Sequence, residues 1–121
     1  MTLSVLLLLF CTMVMSAKAV CEESGWDCPS DKTICGYEDL NLCALSCKCS
    51  SSSTCPTTGS HIIDISNSDL SRREYTCADA STISRCTGSA LPFVPDTLYG
   101  TEKLDCTCDT YKQNDTHTYC G

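Results

Sequence analysis

The chain has 121 residues, of which 13 are cysteine, and 15 acidic residues against 8 basic residues give it a formal net charge of −7. Nucleic acids and anionic membranes bind clustered Lys and Arg side chains, whereas the few basic residues of this chain are scattered. We therefore expect neither of them as a partner. An acidic balance of this size is typical of a solvated surface, or of a face that binds a basic partner.

The first residues of the chain have the features of a secretory signal peptide. An apolar run extends from Leu3 to Val14, and Ala17-Lys18-Ala19 has the small-x-small form that signal peptidase recognises. The run is shorter than the roughly 20 residues that a membrane-spanning helix needs, and no later apolar segment reaches that length. We predict a signal peptide at residues 1–19, a secreted extracellular product, and a single disulfide-rich domain at residues 20–121.

Removal of the signal peptide takes away Cys11 and leaves an even number of cysteines. They form two clusters, residues 21–55 and 77–120, and are Cys21, Cys28, Cys35, Cys43, Cys47, Cys49, Cys55, Cys77, Cys86, Cys106, Cys108 and Cys120. Disulfides form and persist in the secretory pathway, so we predict that all twelve are paired. Only fifteen residues after the signal peptide are Leu, Ile, Val or Phe. A core this small needs covalent closure of loops in order to fold.

The segment from Glu38 to Lys48 fits two different elements. Leu40, Cys43 and Cys47 have the spacing of one face of a short helix near residues 38–48. Alternatively, residues 42–49 form a strand that ends in the C-x-C sequence at Cys47. We favour the strand, so the predicted fold class is small, disulfide-rich and mostly β, with the short helix as the alternative.

The second half of the chain contains the better strand candidates. Four segments alternate or are rich in β-branched and aromatic residues, as strands are, and these are His61 to Ile65, Glu74 to Cys77, Lys103 to Thr110 and Thr116 to Cys120. In the third of them, Cys106 and Cys108 are predicted to face inward. Leu91 to Pro95 holds two prolines, so we interpret it as an extended loop.

No catalytic or metal-binding arrangement is recognisable in the sequence. An even number of cysteines leaves no free thiol as a nucleophile, and the two histidines, His61 and His117, are interpreted as ordinary surface or strand residues. Zinc needs thiolate or imidazole ligands, which paired cysteines do not supply. We therefore expect no enzymatic activity and neither a metal nor another cofactor.

Two short motifs carry local information. Asn114-Asp115-Thr116 is an N-glycosylation sequon in a polar stretch, so we predict a surface loop with Asn114 as the glycosylation site. Arg72-Arg73 is a dibasic pair, which fits a processing site, the P1 residue of a protease inhibitor, or plain surface charge. Seven of the twelve cysteines precede this pair and five follow it, so full pairing requires at least one bridge across it.

The order of several features between Cys28 and Cys108 resembles a known class of protein. These features are a C-x-C pair, Cys55-Pro56, the Ile-rich segment at His61, Tyr75-Thr76-Cys77, the lone Cys86 and the segment Lys103 to Cys108. Their order is similar to that of the larger cysteine-rich venom proteins of arthropods, in particular the long scoloptoxins of centipedes. The resemblance lies in cysteine spacing and strand composition. It implies a secreted venom toxin that impairs an ion channel and has no catalytic residue.

Three classes of function therefore remain open. We favour a secreted toxin-like effector that binds an extracellular or membrane-protein target, such as an ion channel. The alternatives are an extracellular binding module, for example a protease inhibitor or carrier, and a structural cysteine-rich protein. A rigid disulfide scaffold presents loops for any of these tasks, because function lies in the loops rather than in the frame. We expect the protein to be a monomer.

Overall fold

The cysteine-rich part of the chain folds almost entirely as β-structure. The computed structural model describes residues 21–40, 42–67, 70–96 and 100–121, so the predicted signal peptide lies outside the described residues. The strands are β1 (Glu22–Glu23), β2 (Ile34–Glu38), β3 (Cys43–Leu45), β4 (Ile62–Asn67), β5 (Leu70–Thr76), β6 (Phe93–Pro95), β7 (Glu102–Leu104), β8 (Tyr111–Gln113) and β9 (Thr118–Cys120). Two 3-10 turns, Gly59–His61 and Ala80–Thr82, accompany them. Within the described ranges no helix is long and apolar enough to cross a membrane.

Seven of these strands form one sheet in the order β1-β3-β2-β5-β4-β8-β9, and β6 pairs with β7 in a separate ribbon. The centre of the sheet is the antiparallel β4–β5 hairpin, whose register runs from Ile62↔Tyr75 to Asn67↔Leu70. Strand β2 pairs antiparallel with the other side of β5. As a consequence, β5 is hydrogen bonded to a neighbour along both of its edges.

Successive residues of a strand point to opposite faces, and this alternation gives the sheet two different faces. Ile63 lies opposite Glu74, so the two residues share one face of the sheet. On this face side chains of the sheet and of the β6–β7 ribbon form an apolar cluster, which comprises Ile63, Ile65, Phe93, Leu104 and Tyr111. Ile62 lies opposite Tyr75 on the other face. There Tyr75 and Leu45 pack with six buried cysteines, namely Cys35, Cys43, Cys47, Cys49, Cys55 and Cys77. One face is therefore held by carbon side chains and the other mainly by disulfides.

The structure pairs all twelve cysteines in six disulfides. The pairs are Cys21–Cys43, Cys28–Cys47, Cys35–Cys55, Cys49–Cys77, Cys86–Cys106 and Cys108–Cys120. Three of them close loops within residues 21–55 and two lie within residues 86–120. The remaining bridge, Cys49–Cys77, spans the Arg72-Arg73 pair and joins the first cysteine cluster to the end of β5.

The predicted fold class, small, disulfide-rich and mostly β, is confirmed, but the short helix near residues 38–48 is wrong. Glu38 is the last residue of β2, and the chain then reverses through a tight turn into β3. The Asp39 carboxylate accepts a hydrogen bond from the Leu42 backbone N–H at 3.0 Å and thereby closes this turn. The strand predicted at residues 42–49 is confirmed only for Cys43–Leu45, because the regular ladder ends there: the Ser46 and Cys47 N–H groups both donate to the same carbonyl of β2, that of Cys35.

Two predictions for the second half also need correction. The strand expected at Lys103 to Thr110 ends at Leu104, because the disulfides of Cys106 and Cys108 connect to different segments. Cys106 is buried and Cys108 only partly so. The supposed loop at Leu91 to Pro95 contains strand β6, which pairs with β7. A two-stranded ribbon tolerates Pro95 because each of its strands needs hydrogen bonds along one edge only.

Candidate ligand-binding site

An open cavity of about 450 Å³ lies on the face of the sheet that carries Glu74. Its lining includes Ser24, which follows β1 at one edge of the sheet, and Thr118 of β9 at the other edge. Residues near both edges of the sheet therefore contribute to one cavity. The β6–β7 ribbon contributes Phe93 and Glu102 to the wall.

The floor of the cavity is a charged pair on strand β5. Arg72 and Glu74 are two residues apart and so point to the same face, where Arg72 Nε lies 3.0 Å from Glu74 Oε1. The Arg72 guanidinium also stacks on the ring of Tyr37 from β2, with 4.6 Å between its central carbon and the ring centroid. Arg72 Nε is buried and its N–H has no well-directed acceptor. The attraction within the pair is therefore mainly electrostatic.

Glu74 is a carboxyl group in an unfavourable environment. It is 9% exposed. The pKa of Glu74 is raised from 4.5 to about 7, mainly because the group is buried; the positive charge of Arg72 opposes this rise, and the negative charge of Glu102 adds to it. The cavity floor therefore changes its charge near neutral pH. Strongly shifted carboxyl groups inside clefts are characteristic of functional sites, although structural ion pairs also produce such shifts.

Trp26 is the aromatic residue at the rim of the cavity and the single tryptophan of the chain. It is 59% exposed although it is the largest apolar side chain present. The Lys48 backbone N–H donates to the Trp26 carbonyl at 2.7 Å, and this contact fixes the segment next to the first disulfide cluster. Large exposed aromatic side chains at the mouth of a cleft are typical of surfaces that bind a ligand or partner.

Carboxyl groups outnumber basic groups around the cavity. The acidic and basic residues of its lining are Asp27, Arg72, Glu74, Glu102 and His117. Ion pairs among the described residues join Arg72 to Glu74, Arg73 to Asp64 and Arg85 to Asp109, so Asp27 and Glu102 belong to none of them. Asp27 and Glu102 outnumber Arg72 even when Glu74 is protonated, so the lining has a surplus of acidic groups.

Of the residues singled out from the sequence, Cys47, Arg72 and His117 line the cavity, and most of the others lie elsewhere. His117, interpreted as an ordinary residue, lies at the cavity wall, whereas the His61 ring makes a hydrogen bond to the Thr76 carbonyl. Asn114 occupies the exposed tip of the β8–β9 hairpin, where its side-chain oxygen accepts from the Thr116 and His117 N–H groups. The tip is accessible, and glycosylation of Asn114 stays a prediction.

The dibasic pair is not a loop. Arg72 and Arg73 lie inside β5, with Arg72 facing the cavity and Arg73 on the opposite face beside Asp64. Proteases and their inhibitors meet in an extended loop that can enter an active site, and a strand paired on both sides does not offer one. The interpretation of this pair as plain charge also misses the role of Arg72, because the sequence gives no sign that Arg72 meets Glu74 inside a cleft.

Among the described residues, cysteine sulfurs come close together in two places. In each group all three sulfur atoms lie within 4.8 Å of one another; the first group is Cys28, Cys49 and Cys77, and the second is Cys86, Cys108 and Cys120. Every one of these sulfurs belongs to a disulfide. The groups are therefore neighbouring bridges, and they offer no thiolate to a metal ion.

No protein-family model, curated protein or solved structure matches this chain. The resemblance to centipede scoloptoxins consequently stays a prediction from cysteine spacing.

Proposed function

We propose that the protein is a secreted binding module whose ligand site is the cavity beside Glu74, and that it acts without catalysis. Six disulfides are typical of extracellular proteins, since such bridges persist in an oxidising compartment. The observation that carries the proposal is a charged, aromatic-rimmed cavity of about 450 Å³ in so small a protein. This volume falls within the roughly 300–1,000 Å³ of ligand sites.

The experiment detects ligands without assuming their chemistry. The folded protein is incubated with a small-molecule extract and examined by native mass spectrometry for added mass. Ser46 is exposed and lines the cavity, so Ser46→Phe fills it, whereas Ser89→Phe adds the same ring at an exposed position outside the cavity. We expect adducts on the native protein and on Ser89→Phe, and none on Ser46→Phe. Adducts that survive Ser46→Phe, or no adducts at all, would contradict the proposal.

A second candidate is a toxin-like effector that binds a membrane protein such as an ion channel, and one observation favours it. The turn between β2 and β3 presents Leu40 and Leu42, which are 82% and 44% exposed, on a tip closed by Asp39. Exposed apolar side chains such as these are suitable contact residues for a partner, because binding removes their surface from water.

The second candidate is tested on excitable cells. A change in current caused by the native protein should disappear in a Leu40→Ser, Leu42→Ser double variant and persist in Tyr119→Ser, which removes an exposed hydrophobic side chain elsewhere. An unchanged current with the native protein would exclude an effect on the channels present. The scattered basic residues of this chain predict that it binds neither nucleic acid nor anionic membranes. Retention on heparin or on anionic vesicles at physiological salt would contradict that prediction.

A further inference from the structure

We infer that the cavity binds a small organic cation, an ammonium group carried on an apolar or aromatic body. This inference rests on the proposal that the cavity is a ligand site. It names the chemical class of the ligand, which the cavity volume alone does not determine.

The first argument is the distribution of charge. Three carboxyl groups, those of Asp27, Glu74 and Glu102, line the cavity together with Arg72 and His117. Arg72 is already engaged by Glu74 at 3.0 Å and by the Tyr37 ring. An anion would therefore meet a compensated guanidinium and two further carboxylates. A cation would supply the positive charge that the lining lacks.

The second argument is the state of Glu74. Burial and the charge of Glu102 both work against its ionised form. A cation placed between Glu74 and Glu102 lowers the free energy of both carboxylates, whereas an anion there raises it. The gain is larger than it would be at the surface, because charges interact more strongly where water is partly excluded.

The third argument concerns the body of the ligand. Trp26, Tyr37 and Phe93 line the cavity with aromatic surface. Arg72 stacks on the Tyr37 ring, and Trp26 is 59% exposed at the rim. Tryptophan offers the strongest ring face for a cation, and an apolar body would remove its surface from water. The cavity of about 450 Å³ is also far larger than a bare metal ion needs.

The experiment compares probes of similar size and shape that carry different charges. Butylamine and 2-phenylethylamine are the cationic probes, with 1-butanol and 2-phenylethanol as neutral counterparts and 3-phenylpropionate as the anion. Binding is followed by the fluorescence of Trp26, the single tryptophan of the chain, which none of the probes obscures. We expect at least one amine to bind saturably, and at least about tenfold more tightly than its alcohol and the anion, as one desolvated charge pair provides.

Charge variants locate the site. Glu102→Gln is expected to weaken binding of the better amine about fivefold to tenfold, and Glu74→Gln by at least as much. Asp105→Asn removes the same charge at an exposed position outside the cavity and should leave the affinity unchanged. Glu102 is exposed, so its variant is expected to fold even if a change at the buried Glu74 does not.

Three results would overturn the inference. They are equal binding of an amine and its alcohol, tighter binding of 3-phenylpropionate, and an amine affinity that Glu102→Gln does not change. If the extract yields a neutral or anionic ligand that Ser46→Phe abolishes, the cation inference fails and the ligand-site proposal stands. If neither the extract nor any probe binds, both fail.

Discussion

The buried carboxyl of Glu74 makes the stability of the protein depend on pH, and Glu74→Gln tests this. In the folded protein the pKa of Glu74 is about 7, against 4.5 for an exposed carboxyl group. Between these two values the folded state retains a proton that the unfolded state has released. The free energy of unfolding therefore carries no penalty from Glu74 below pH 4.5, and it decreases as the pH rises from 4.5 to about 7. Glutamine resembles the protonated carboxyl at every pH, so the variant lacks this loss.

The size of the effect follows from the shift. One pKa unit corresponds to about 1.4 kcal/mol, so the rise from 4.5 to about 7 amounts to about 3 kcal/mol of stability lost between acid and mildly alkaline pH. The stabilising attraction of Arg72 is already contained in this shift. We therefore expect the native protein to lose about 3 kcal/mol relative to Glu74→Gln across this range.

The assay is guanidinium unfolding with the disulfides intact, followed by far-ultraviolet circular dichroism in steps from pH 4 to pH 8. Glu22→Gln removes an exposed carboxyl group outside the cavity and serves as the control. Titrations common to all three proteins cancel in the differences. Parallel stability curves for the native protein and Glu74→Gln would refute the reasoning, because they would mean that Glu74 titrates alike in the folded and unfolded states. An NMR titration of the Glu74 carboxyl carbon gives the same answer directly.

Three further predictions concern the frame. Gly36→Ala should destabilise the protein by about 1–3 kcal/mol, because its Cβ would lie 2.7 Å from the Leu45 side chain and 2.8 Å from a backbone oxygen, whereas Gly25→Ala, with nothing within 4 Å, should have no effect in the same unfolding assay. Trypsin should not cut after Arg72 or Arg73 until the protein is reduced, because β5 is paired along both edges; rapid cleavage of the native protein would contradict that pairing. The secreted protein should incorporate no alkylating reagent before reduction and should weigh about 12 Da less than its reduced form, whereas stoichiometric labelling would show that at least one bridge is absent.

The sequence predicts the parts of the fold that depend on residue type alone. Strand β4 is recognisable because Ile63 and Ile65 alternate with polar residues, and the end of β5 is recognisable at Glu74 to Cys77, but the pairing of the two strands as a hairpin is not predicted. Strand β2 is not recognisable, since Cys35-Gly36 resembles a turn. Gly36 nevertheless lies inside the strand. A glycine is needed at this position because the Leu45 side chain of β3 occupies the space that a Cβ would fill.

The helix-like spacing of the cysteines in residues 38–48 results from their disulfide partners and not from a helix. Cys43 is placed by its bridge to Cys21, and Cys47 by its bridge to Cys28. The spacing of paired cysteines follows from their partners and therefore carries little information about the local period. Glu38, which suits a helix start, instead accepts a hydrogen bond from the Tyr75 hydroxyl across the sheet.

The candidate site depends on register, which the sequence does not specify. Arg72 and Arg73 form one motif in the sequence, yet they point to opposite faces of β5. Trp26 and Glu102 are far apart along the chain, and both line the cavity only because the fold brings the start of the chain and the β6–β7 ribbon to the same face of the sheet. Local patterns of hydrophobicity describe the faces of a strand, but not what those faces meet across a cleft.

The buried charge of Glu74 is best explained by a role for the cavity. At neutral pH and above it opposes folding by about 3 kcal/mol, and a neutral side chain of similar size would avoid that loss. The disulfide face makes the loss tolerable, because a bridge contributes roughly 2–4 kcal/mol and six of the eight members of that face's core are cysteines. Residues that weaken a fold without supporting its packing are concentrated at functional sites. A ligand that neutralises Glu74 would recover part of that free energy on binding, so the feature that weakens the empty protein is the one that favours a cation.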